Sequence, residues 1–164
     1  ESTLVCLDNT GVAIFVLLLY IDMAYKSTYA PKYHKKYIGD PTKIICRSTW
    51  ERKVCKFMDL NENVLKWASE EISIPYFSDL DNKWHKYYPD FFCEILKKDK
   101  KISKLVIEVK PKKQTKEPVN KKTKSYLRLM KTFHINTCKW TAATDFCKKN
   151  NWEFKILTEE DIFK

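Results

Sequence analysis

Residues that break regular structure are scarce in this chain. Only two of its 164 residues are glycine, Gly11 and Gly39, and six are proline. Flexible linkers are rich in glycine and serine and stiff linkers in proline, so this composition argues against long linkers and low-complexity repeats. With 44% hydrophobic and 14% aromatic residues, a chain of this length can bury a core of its own. The composition therefore predicts one globular domain.

The cysteines lack the spacing of a metal or disulfide framework. They stand at positions 6, 46, 55, 93, 138 and 147, with no C-x-x-C pair and with no histidine at the spacing expected of a zinc site. Several occupy apolar positions, where a thiol behaves as a small hydrophobe. We therefore expect neither a structural zinc ion nor a set of disulfides, and a reducing cytoplasm as the compartment.

The uninterrupted apolar run at residues 12–21 is too short to span a bilayer as a helix. A secretory signal would carry positive residues before such a run, but Glu1 and Asp8 are the only charges there. The sequence from Met23 onward resembles the natural start of a soluble protein. We therefore expect residues 1–22 to be an upstream or non-native extension, and no membrane association.

The positive charge of the chain is concentrated in one stretch. Residues 97–124 hold twelve lysines and three acidic residues, and so account for nearly the whole net charge of +10. Such a field attracts polyanions, and their counterions are released on binding. A solvated lysine-rich surface is the alternative, and a membrane surface is a weaker one because the lysines do not follow an amphipathic helix. The distribution favours DNA as the partner.

The order of predicted elements is that of an α/β fold. A basic N-terminal arm is expected over residues 23–47 and the folded domain over 48–164. Within the domain we expect a helix beginning at the S-x-x-E capping box of Ser48, a short helical turn, a three-stranded antiparallel meander, further helices and a last strand. The predicted ranges are 64–67 for the turn, 71–77, 84–95 and 103–110 for the meander, 121–133 and 136–149 for the helices, and 152–157 for the strand. This order predicts a central mixed sheet flanked by helices.

Hydrophobic alternation fixes the register of two meander strands. Apolar residues occupy odd positions in both 87–95 and 105–109, so a shared core face requires odd residues to pair with odd ones. A turn near 98–101 then makes paired residue numbers sum to 198 or 200. Asp90 is expected opposite Glu108 or Lys110, with all three side chains on the face away from the core.

Two opposed carboxylates repel unless a positive charge lies between them. Lys110 supplies part of that charge, and a hard divalent cation with oxygen ligands would supply the rest. We predict Mg²⁺, with Mn²⁺ able to substitute, held by Asp90, Glu108 and the carbonyl of Val109. Lys110 would position a water and offset charge in the transition state of phosphodiester hydrolysis. His85 shows no base–nucleophile pattern, nor does His134, and both are interpreted as structural.

These residues resemble the motifs of the PD-(D/E)xK nuclease superfamily, whose fold is that of restriction endonucleases. More of the chain, from about Met23 to the end, resembles the head completion nucleases of T-even-like phages and is similar to TnsA-type transposon endonucleases. The stretches that carry the resemblance are Tyr88-Pro89-Asp90, Ile107-Glu108-Val109-Lys110-Pro111-Lys112-Lys113-Gln114, Arg47-Ser48-Thr49-Trp50-Glu51, Trp67-Ala68-Ser69-Glu70-Glu71, Ile74-Pro75-Tyr76, Asn136-Thr137-Cys138-Lys139-Trp140 and Phe154-Lys155-Ile156-Leu157-Thr158-Glu159.

The resemblance implies a Mg²⁺-dependent DNA endonuclease that acts in phage head completion, with phage head or neck proteins as partners and the virion or the infected host's cytoplasm as its location. It also implies an acidic residue of the first helix in the catalytic metal site, and Glu51 matches that position. The capping box is the alternative role for Glu51, and Glu70, or less favourably Glu71, could replace it. Expected DNA contacts are Lys112, Lys113, Gln114 and Lys139, with solvation as the alternative for Lys113.

Two other functions stay open at this point. One is a DNA-binding structural protein of the phage head or neck without activity, and the other is a TnsA-like transposon endonuclease. No sequence feature indicates the oligomeric state, the cut geometry or base-specific readout, because nothing marks a recognition element for a DNA groove.

Overall fold

A computed structural model describes residues 26–119 and 123–163. The expected extension at residues 1–22 lies outside the described residues. The helices are α1 (Thr49–Leu60), α2 (Lys124–Lys149) and the short α3 (Glu159–Ile162), with 3-10 turns at His34–Lys36 and Lys112–Gln114. The strands are β1 (Ser27–Thr28), β2 (Ile45–Cys46), β3 (Val64–Ser69), β4 (Ile74–Ser78), β5 (Lys83–Tyr87), β6 (Phe91–Leu96), β7 (Ile102–Val109) and β8 (Glu153–Leu157).

The central sheet has four strands in the order β3-β6-β7-β8. β6 is antiparallel to both β3 and β7, and β8 runs parallel to β7. Strands β4 and β5 form a separate hairpin. The predicted mixed sheet flanked by helices is therefore confirmed, whereas the predicted meander is wrong in membership: β6 pairs with β3 and β7, and β4 stays outside the sheet.

The sheet is buried on both faces. One core joins α1 and α3 to odd-numbered residues of β6 and β7 such as Phe91 and Ile107. The second core packs α2 and the β4–β5 hairpin against even-numbered residues such as Phe92 and Val106. The predicted odd–odd register is confirmed, since Phe91 pairs with Ile107 and Cys93 with Leu105. The expectation of a single core face is wrong, because the hairpin and α2 cover the other side.

A β-bulge explains why β3 was predicted as a helical turn. The pairing with β6 shifts between Val64 and Lys66, so one extra residue stands in β3. The shift brings Val64 and Trp67, three residues apart, into the same core. An i, i+3 apolar spacing is typical of a helix, and here the bulge produces it in a strand.

The predicted single strand 84–95 is broken at Pro89. Proline has no N–H to donate to a ladder, and Pro89 is fully buried at the point where the chain leaves β5 and enters the central sheet. The residue after it, Asp90, therefore lies beside the end of β7 instead of inside a strand.

The two predicted C-terminal helices are one helix, α2. Asn136 and Thr137 resemble helix caps in sequence, yet Thr137 Oγ1 donates to the Phe133 carbonyl at 2.9 Å, a bond compatible with a continuing helix. No proline or glycine interrupts the segment. No helix of the described chain combines the length and apolar character needed to cross a bilayer.

The described part of the predicted N-terminal arm packs against α1. Asp59, buried at 1% exposure, accepts hydrogen bonds from the backbone N–H groups of Lys32 and Tyr33 at 2.7 and 2.9 Å. It also accepts a bond from the Tyr29 hydroxyl at 3.1 Å. A buried carboxylate with three donors anchors the segment. The domain boundary expected after residue 47 stays a prediction.

Replacing Ser48 by alanine should lower the free energy of unfolding by about 1 kcal/mol. The Ser48 hydroxyl accepts the Glu51 N–H at 3.1 Å as the N-cap of α1, and alanine leaves that donor unpaired. The measurement is the thermal midpoint, which should fall by about 2–4 °C. Ser73→Ala, at an exposed position between β3 and β4, is the control, and equal midpoints for the two variants would contradict the capping role.

Candidate active site

The start of β6 and the end of β7 bring the predicted catalytic residues together. Because the two strands are antiparallel, the residues that precede β6 lie beside those that end β7. Asp90 comes directly after the break at Pro89. Glu108 is the second-to-last residue of β7, and Lys110 directly follows that strand. The predicted placement of Asp90 opposite Glu108 agrees with the observed register, in which the numbers of two paired residues sum to 198.

The Glu108 carboxylate is buried and held from two sides. Its residue is 4% exposed, although sequence alternation placed it on a free face. Oε1 lies 3.0 Å from Lys110 Nζ, and Oε2 accepts a 2.5 Å hydrogen bond from the Tyr87 hydroxyl. A buried carboxylate without such partners would cost several kcal/mol. These contacts fix the orientation of Glu108 towards Asp90.

Asp90 is held by backbone on both sides. Its Oδ2 accepts the Val109 N–H at 2.7 Å, and its carbonyl accepts the Glu70 N–H at 3.2 Å. The other carboxylate oxygen, Oδ1, accepts no hydrogen bond from the described residues. An oxygen without a donor, beside a second carboxylate, is suited to a cation.

The electrostatics of the cluster are those of crowded carboxylates. Burial raises the pKa of Asp90, and the neighbouring Glu108 charge raises it further, against the opposing effect of Lys110. For Lys110, burial acts to lower the pKa, but Glu108 and Asp90 outweigh it and the pKa is raised. Lys110 is therefore a cation at neutral pH. When both carboxyls are ionised their charge exceeds what one ammonium compensates, and an all-oxygen donor set of this kind fits a hard divalent ion.

Glu51 is engaged in its helix cap. Oε2 accepts the Arg47 N–H at 2.7 Å and Oε1 accepts the Ser48 hydroxyl at 3.0 Å. Its charge still contributes to raising the pKa of Asp90, so it lies near the cluster. Among the described residues it does not complete a compact three-ligand group with Asp90 and Glu108; the one group of that kind lies elsewhere.

The two alternatives to Glu51 have other partners. Glu70 forms an ion pair with Arg47, whose guanidinium also lies near Glu51 and Asp90. Glu71 packs against Gly39, where a Cβ would stand 2.5 Å from Oε1 of Glu71.

The predicted DNA contacts occupy different surroundings. Lys139 Nζ lies 5.7 Å from the ring centroid of Tyr87, the residue whose hydroxyl contacts Glu108. Lys113 and Gln114 line a groove between the segment after β7 and the N-terminal half of α2. Lys112 is instead tied to the region of α3, with Nζ 2.5 Å from Glu160 Oε1.

The described lysines of residues 97–119 divide into two groups in space. The lysines of the β6–β7 turn stand at the opposite end of the hairpin from the cluster, about 20 Å from Glu108 at the rise of a β-strand. Three lysines of that end are paired: Lys97 with Glu153 at 2.8 Å, Lys104 with Glu94 at 3.0 Å and Lys101 with Asp99 at 3.7 Å. Charge density along the sequence therefore overstates the charge available at the site.

Sequence reasoning missed two residues that contact the cluster or its neighbours. Tyr87 was seen only as an apolar position, and Arg47 only as part of a motif. The position of Tyr87 on a predicted core face could have suggested a partner for its hydroxyl, since a buried tyrosine hydroxyl usually finds one. The long-range pairing of Arg47 with Glu70 has no local signal.

The mixed sheet, its flanking helices and the clustered aspartate, glutamate and lysine define a restriction-endonuclease-like α/β protein, the predicted fold class. The sequence profile of the TnsA-like endonuclease N-terminal family matches residues 61–159. A curated protein of Enterobacteria phage T4, the head completion nuclease, is 37% identical over 146 residues, covering 85% of this chain and 95% of the phage protein.

The chain therefore belongs to the TnsA-like endonuclease family. The prediction of a nuclease is confirmed, and nuclease activity implies a DNA substrate and, for this family, a divalent metal. The matched stretch includes Asp90, Glu108 and Lys110, whereas Glu51 precedes it.

Asp90→Asn should stabilise the metal-free protein at alkaline pH. The folded-state pKa of Asp90 is raised from 3.8 to about 8, so the folded protein holds a proton that the unfolded chain releases. Its contribution to stability is present below about pH 3.8 and is lost as pH rises through about 8. At pH 9 in EDTA, the variant should exceed the wild type by at least about 1 kcal/mol, or about 2–4 °C in thermal midpoint.

The measurement is thermal unfolding at pH 5 and pH 9 with EDTA present. Asp145→Asn, which removes an exposed carboxylate of α2, is the matched control and should follow the wild type at both pH values. If the thermal midpoints of Asp90→Asn and the wild type differed by the same amount at pH 5 and pH 9, Asp90 would be ionised in the folded protein throughout this range.

Proposed function

We propose that this protein is a Mg²⁺-dependent DNA endonuclease that acts in phage head completion, with Asp90, Glu108 and Lys110 as its catalytic residues. The observation that carries the proposal is the buried contact between Glu108 and Lys110, at 3.0 Å, next to the Asp90 carboxylate whose pKa is raised by burial and by Glu108. Buried charged groups lower the stability of a fold. Their presence here is therefore better explained by the binding of a ligand, such as a cation, than by a structural role.

Asp90, Glu108 and the carbonyl of Val109 are the proposed ligands of Mg²⁺, and Mn²⁺ should substitute because it accepts the same oxygen donors. A divalent ion in such a site supplies positive charge to the phosphate and makes water more acidic. The free Oδ1 of Asp90 and the fixed orientation of Glu108 support this ligand set.

Lys110 serves as a donor and not as a general base. Its raised pKa keeps the ammonium protonated at neutral pH. Nζ holds Glu108 in place and can donate to a phosphate oxygen, on which negative charge grows as water attacks. Tyr87 acts through Glu108 by fixing the direction of its carboxylate, and is a positioning residue.

Glu51 is proposed as a further carboxylate of the site, as the family resemblance implies. Its two oxygens accept bonds from the Arg47 N–H and the Ser48 hydroxyl, and each carboxylate oxygen keeps a second lone pair that an ion could use. With the cap intact, Glu51 adds negative charge near the ligands and raises the pKa of Asp90.

DNA is proposed to reach the cluster along Lys139, Lys113 and Gln114. Lys139 stands over the Tyr87 ring near the carboxylates, and the other two line the groove beside α2. Lys112 contributes less, since its ammonium already pairs with Glu160. Contacts of this kind recognise phosphates and carry little sequence preference.

The role in head completion rests on the similarity to the phage T4 head completion nuclease. We accordingly propose phage head or neck proteins as partners and the virion or the cytoplasm of the infected host cell as the location. An inactive structural protein of the head is the competing proposal, and cleavage assays separate the two.

Asp90→Ala and Lys110→Ala should each reduce Mg²⁺-dependent cleavage of plasmid DNA by more than about 100-fold, because each removes a charge that the transition state needs. The measurement is plasmid nicking and linearisation with Mg²⁺, with Mn²⁺ and with EDTA, alongside circular dichroism to show folding.

Lys104→Ala is the matched control. Lys104 stands on the same strand as Glu108 but pairs with Glu94 at the other end of the hairpin, so its removal should leave cleavage within about twofold. Full activity of folded Lys110→Ala would refute the proposed site. A wild-type chain that binds DNA without cutting under either metal would favour the structural protein.

Lys139→Ala should reduce the salt dependence of DNA binding by about one phosphate contact, a change of about 0.9 in the slope of log affinity against log salt. Binding is measured in EDTA by fluorescence anisotropy over a range of salt concentrations. Lys98→Ala, in the exposed β6–β7 turn, should leave the slope unchanged. Equal slope changes for both variants would place DNA on the far end of the hairpin as well.

A further inference from the structure

A second group of ligand atoms lies at the tip of the β4–β5 hairpin. Asp79 directly follows β4, and His134 and Cys138 stand one turn apart on α2. One ligand atom from each lies within 4.8 Å of the other two. His134 Nε2 is 2.5 Å from Asp79 Oδ1, and Cys138 Sγ is 3.5 Å from the same oxygen.

The prediction that no cysteine has a histidine at metal-site spacing is therefore wrong. His134 and Cys138 are separated by four positions, which places both side chains on one face of a helix. The same i, i+4 spacing carries paired zinc ligands on helices elsewhere. The third member, Asp79, is 55 residues before His134, so the sequence shows only two of the three ligands.

This group is separate from the nuclease cluster. Ser78, next to Asp79, pairs with Lys83 at one end of the hairpin, while Tyr87, which contacts Glu108, ends β5 at the other. Lys83 and Tyr87 are four residues apart along the strand, or about 13 Å. None of Asp79, His134 and Cys138 touches Asp90, Glu108 or Lys110 in the described contacts.

The donor set differs in kind from that of the nuclease cluster. Nitrogen, sulfur and one carboxylate oxygen suit a borderline-soft ion such as Zn²⁺, whereas Mg²⁺ requires oxygen ligands in an octahedron. Tetrahedral Zn²⁺ with bonds of about 2.0–2.3 Å separates its ligand atoms by about 3.3–3.6 Å. The Cys138–Asp79 distance of 3.5 Å already matches, and the His134–Asp79 contact must open by less than about 1 Å.

The group is also accessible to an ion. The side chains of His134 and Asp79 are 42% and 61% exposed, and a groove lined by Asp79, Trp84, Thr137 and Cys138 adjoins them. Three protein ligands leave a fourth position for water from that groove.

We propose that Asp79, His134 and Cys138 form a second metal site, which takes Zn²⁺ or a similar borderline-soft divalent ion and ties the hairpin tip to α2. On binding, the hydrogen bonds between the three side chains are replaced by bonds to the ion. The Cys138 thiol proton leaves to solvent as the metal–sulfur bond forms. The site is independent of the proposed nuclease function.

The test uses the full chain carrying Asp90→Asn, which weakens the oxygen site, and Co²⁺ as a spectroscopic probe. One equivalent of Co²⁺ should bind with a thiolate-to-cobalt charge-transfer absorption and the intense visible bands of tetrahedral cobalt, and Zn²⁺ should displace it. Adding Cys138→Ser should abolish the charge-transfer absorption, and adding His134→Gln should weaken binding at least tenfold.

His85→Gln is the matched control. His85 pairs with Asp81 on the same hairpin, at 2.9 Å, without a thiol, so its loss should leave the Co²⁺ titration unchanged. Zn²⁺ should raise the thermal midpoint of the parent protein and not that of the Cys138→Ser variant.

Two results would overturn the proposal. One is the absence of a thiolate–cobalt absorption in the parent protein at micromolar Co²⁺. The other is its persistence after Cys138→Ser, which would assign the absorption to other thiols, such as the buried Cys46 and Cys55, whose sulfur atoms are 3.5 Å apart. Neither result depends on cleavage of DNA, so the nuclease proposal is tested separately.

Discussion

The burial of two carboxylates at one end of the β6–β7 hairpin constrains the elements around them. Ionised groups removed from water must gain partners, or they destabilise the fold by several kcal/mol. Glu108 obtains an ammonium and a phenol, and Asp90 obtains the Val109 N–H. Each partner comes from a different local feature: the end of β7, the base of the β4–β5 hairpin, and the antiparallel register between them.

The irregular features of the chain follow from this constraint. Pro89 follows the end of β5, and Asp90 stands directly before β6, an interior strand of the central sheet. The hairpin leaves the central sheet and turns Tyr87 towards Glu108. A polar contact thereby stands beside the apolar core that the sheet forms with α2 and the hairpin. The contact depends on both the strand break and the covering helix.

The strand register was predictable because side-chain alternation has a period of two, and slipping by one residue would bury the wrong set. Reasoning from sequence patterns failed where a segment carried the pattern of a different element. The bulge in β3 gave Val64 and Trp67 a helical spacing, and Thr137 resembled a cap although α2 continues through it. The second core could not be inferred from β6 and β7 alone, because the elements that cover Glu108 are supplied by distant parts of the chain.

The site residues divide in the same way. Asp90, Glu108 and Lys110 were predictable, since two strands joined by one turn have a computable register. Tyr87 as a partner of Glu108 depends on where the hairpin folds back. The pairing of Arg47 with Glu70 depends on how α1 packs beside β3. Asp79 with His134 and Cys138 depends on the docking of a hairpin on a helix. No period or motif encodes such contacts between separate elements.

The distribution of charge has a further consequence for the proposed enzyme. The chain as a whole carries +10, yet its proposed centre combines Asp90 and Glu108, with Glu51 nearby, against Lys110. The outer lysines favour DNA, while the inner carboxylates repel a phosphate. Occupation of the carboxylates by a divalent ion relieves that repulsion, so ion and DNA must strengthen each other's binding by the same factor. The same repulsion between carboxylates contributes to the raised pKa of Asp90. In the metal-free protein, a proton on Asp90 relieves part of that repulsion.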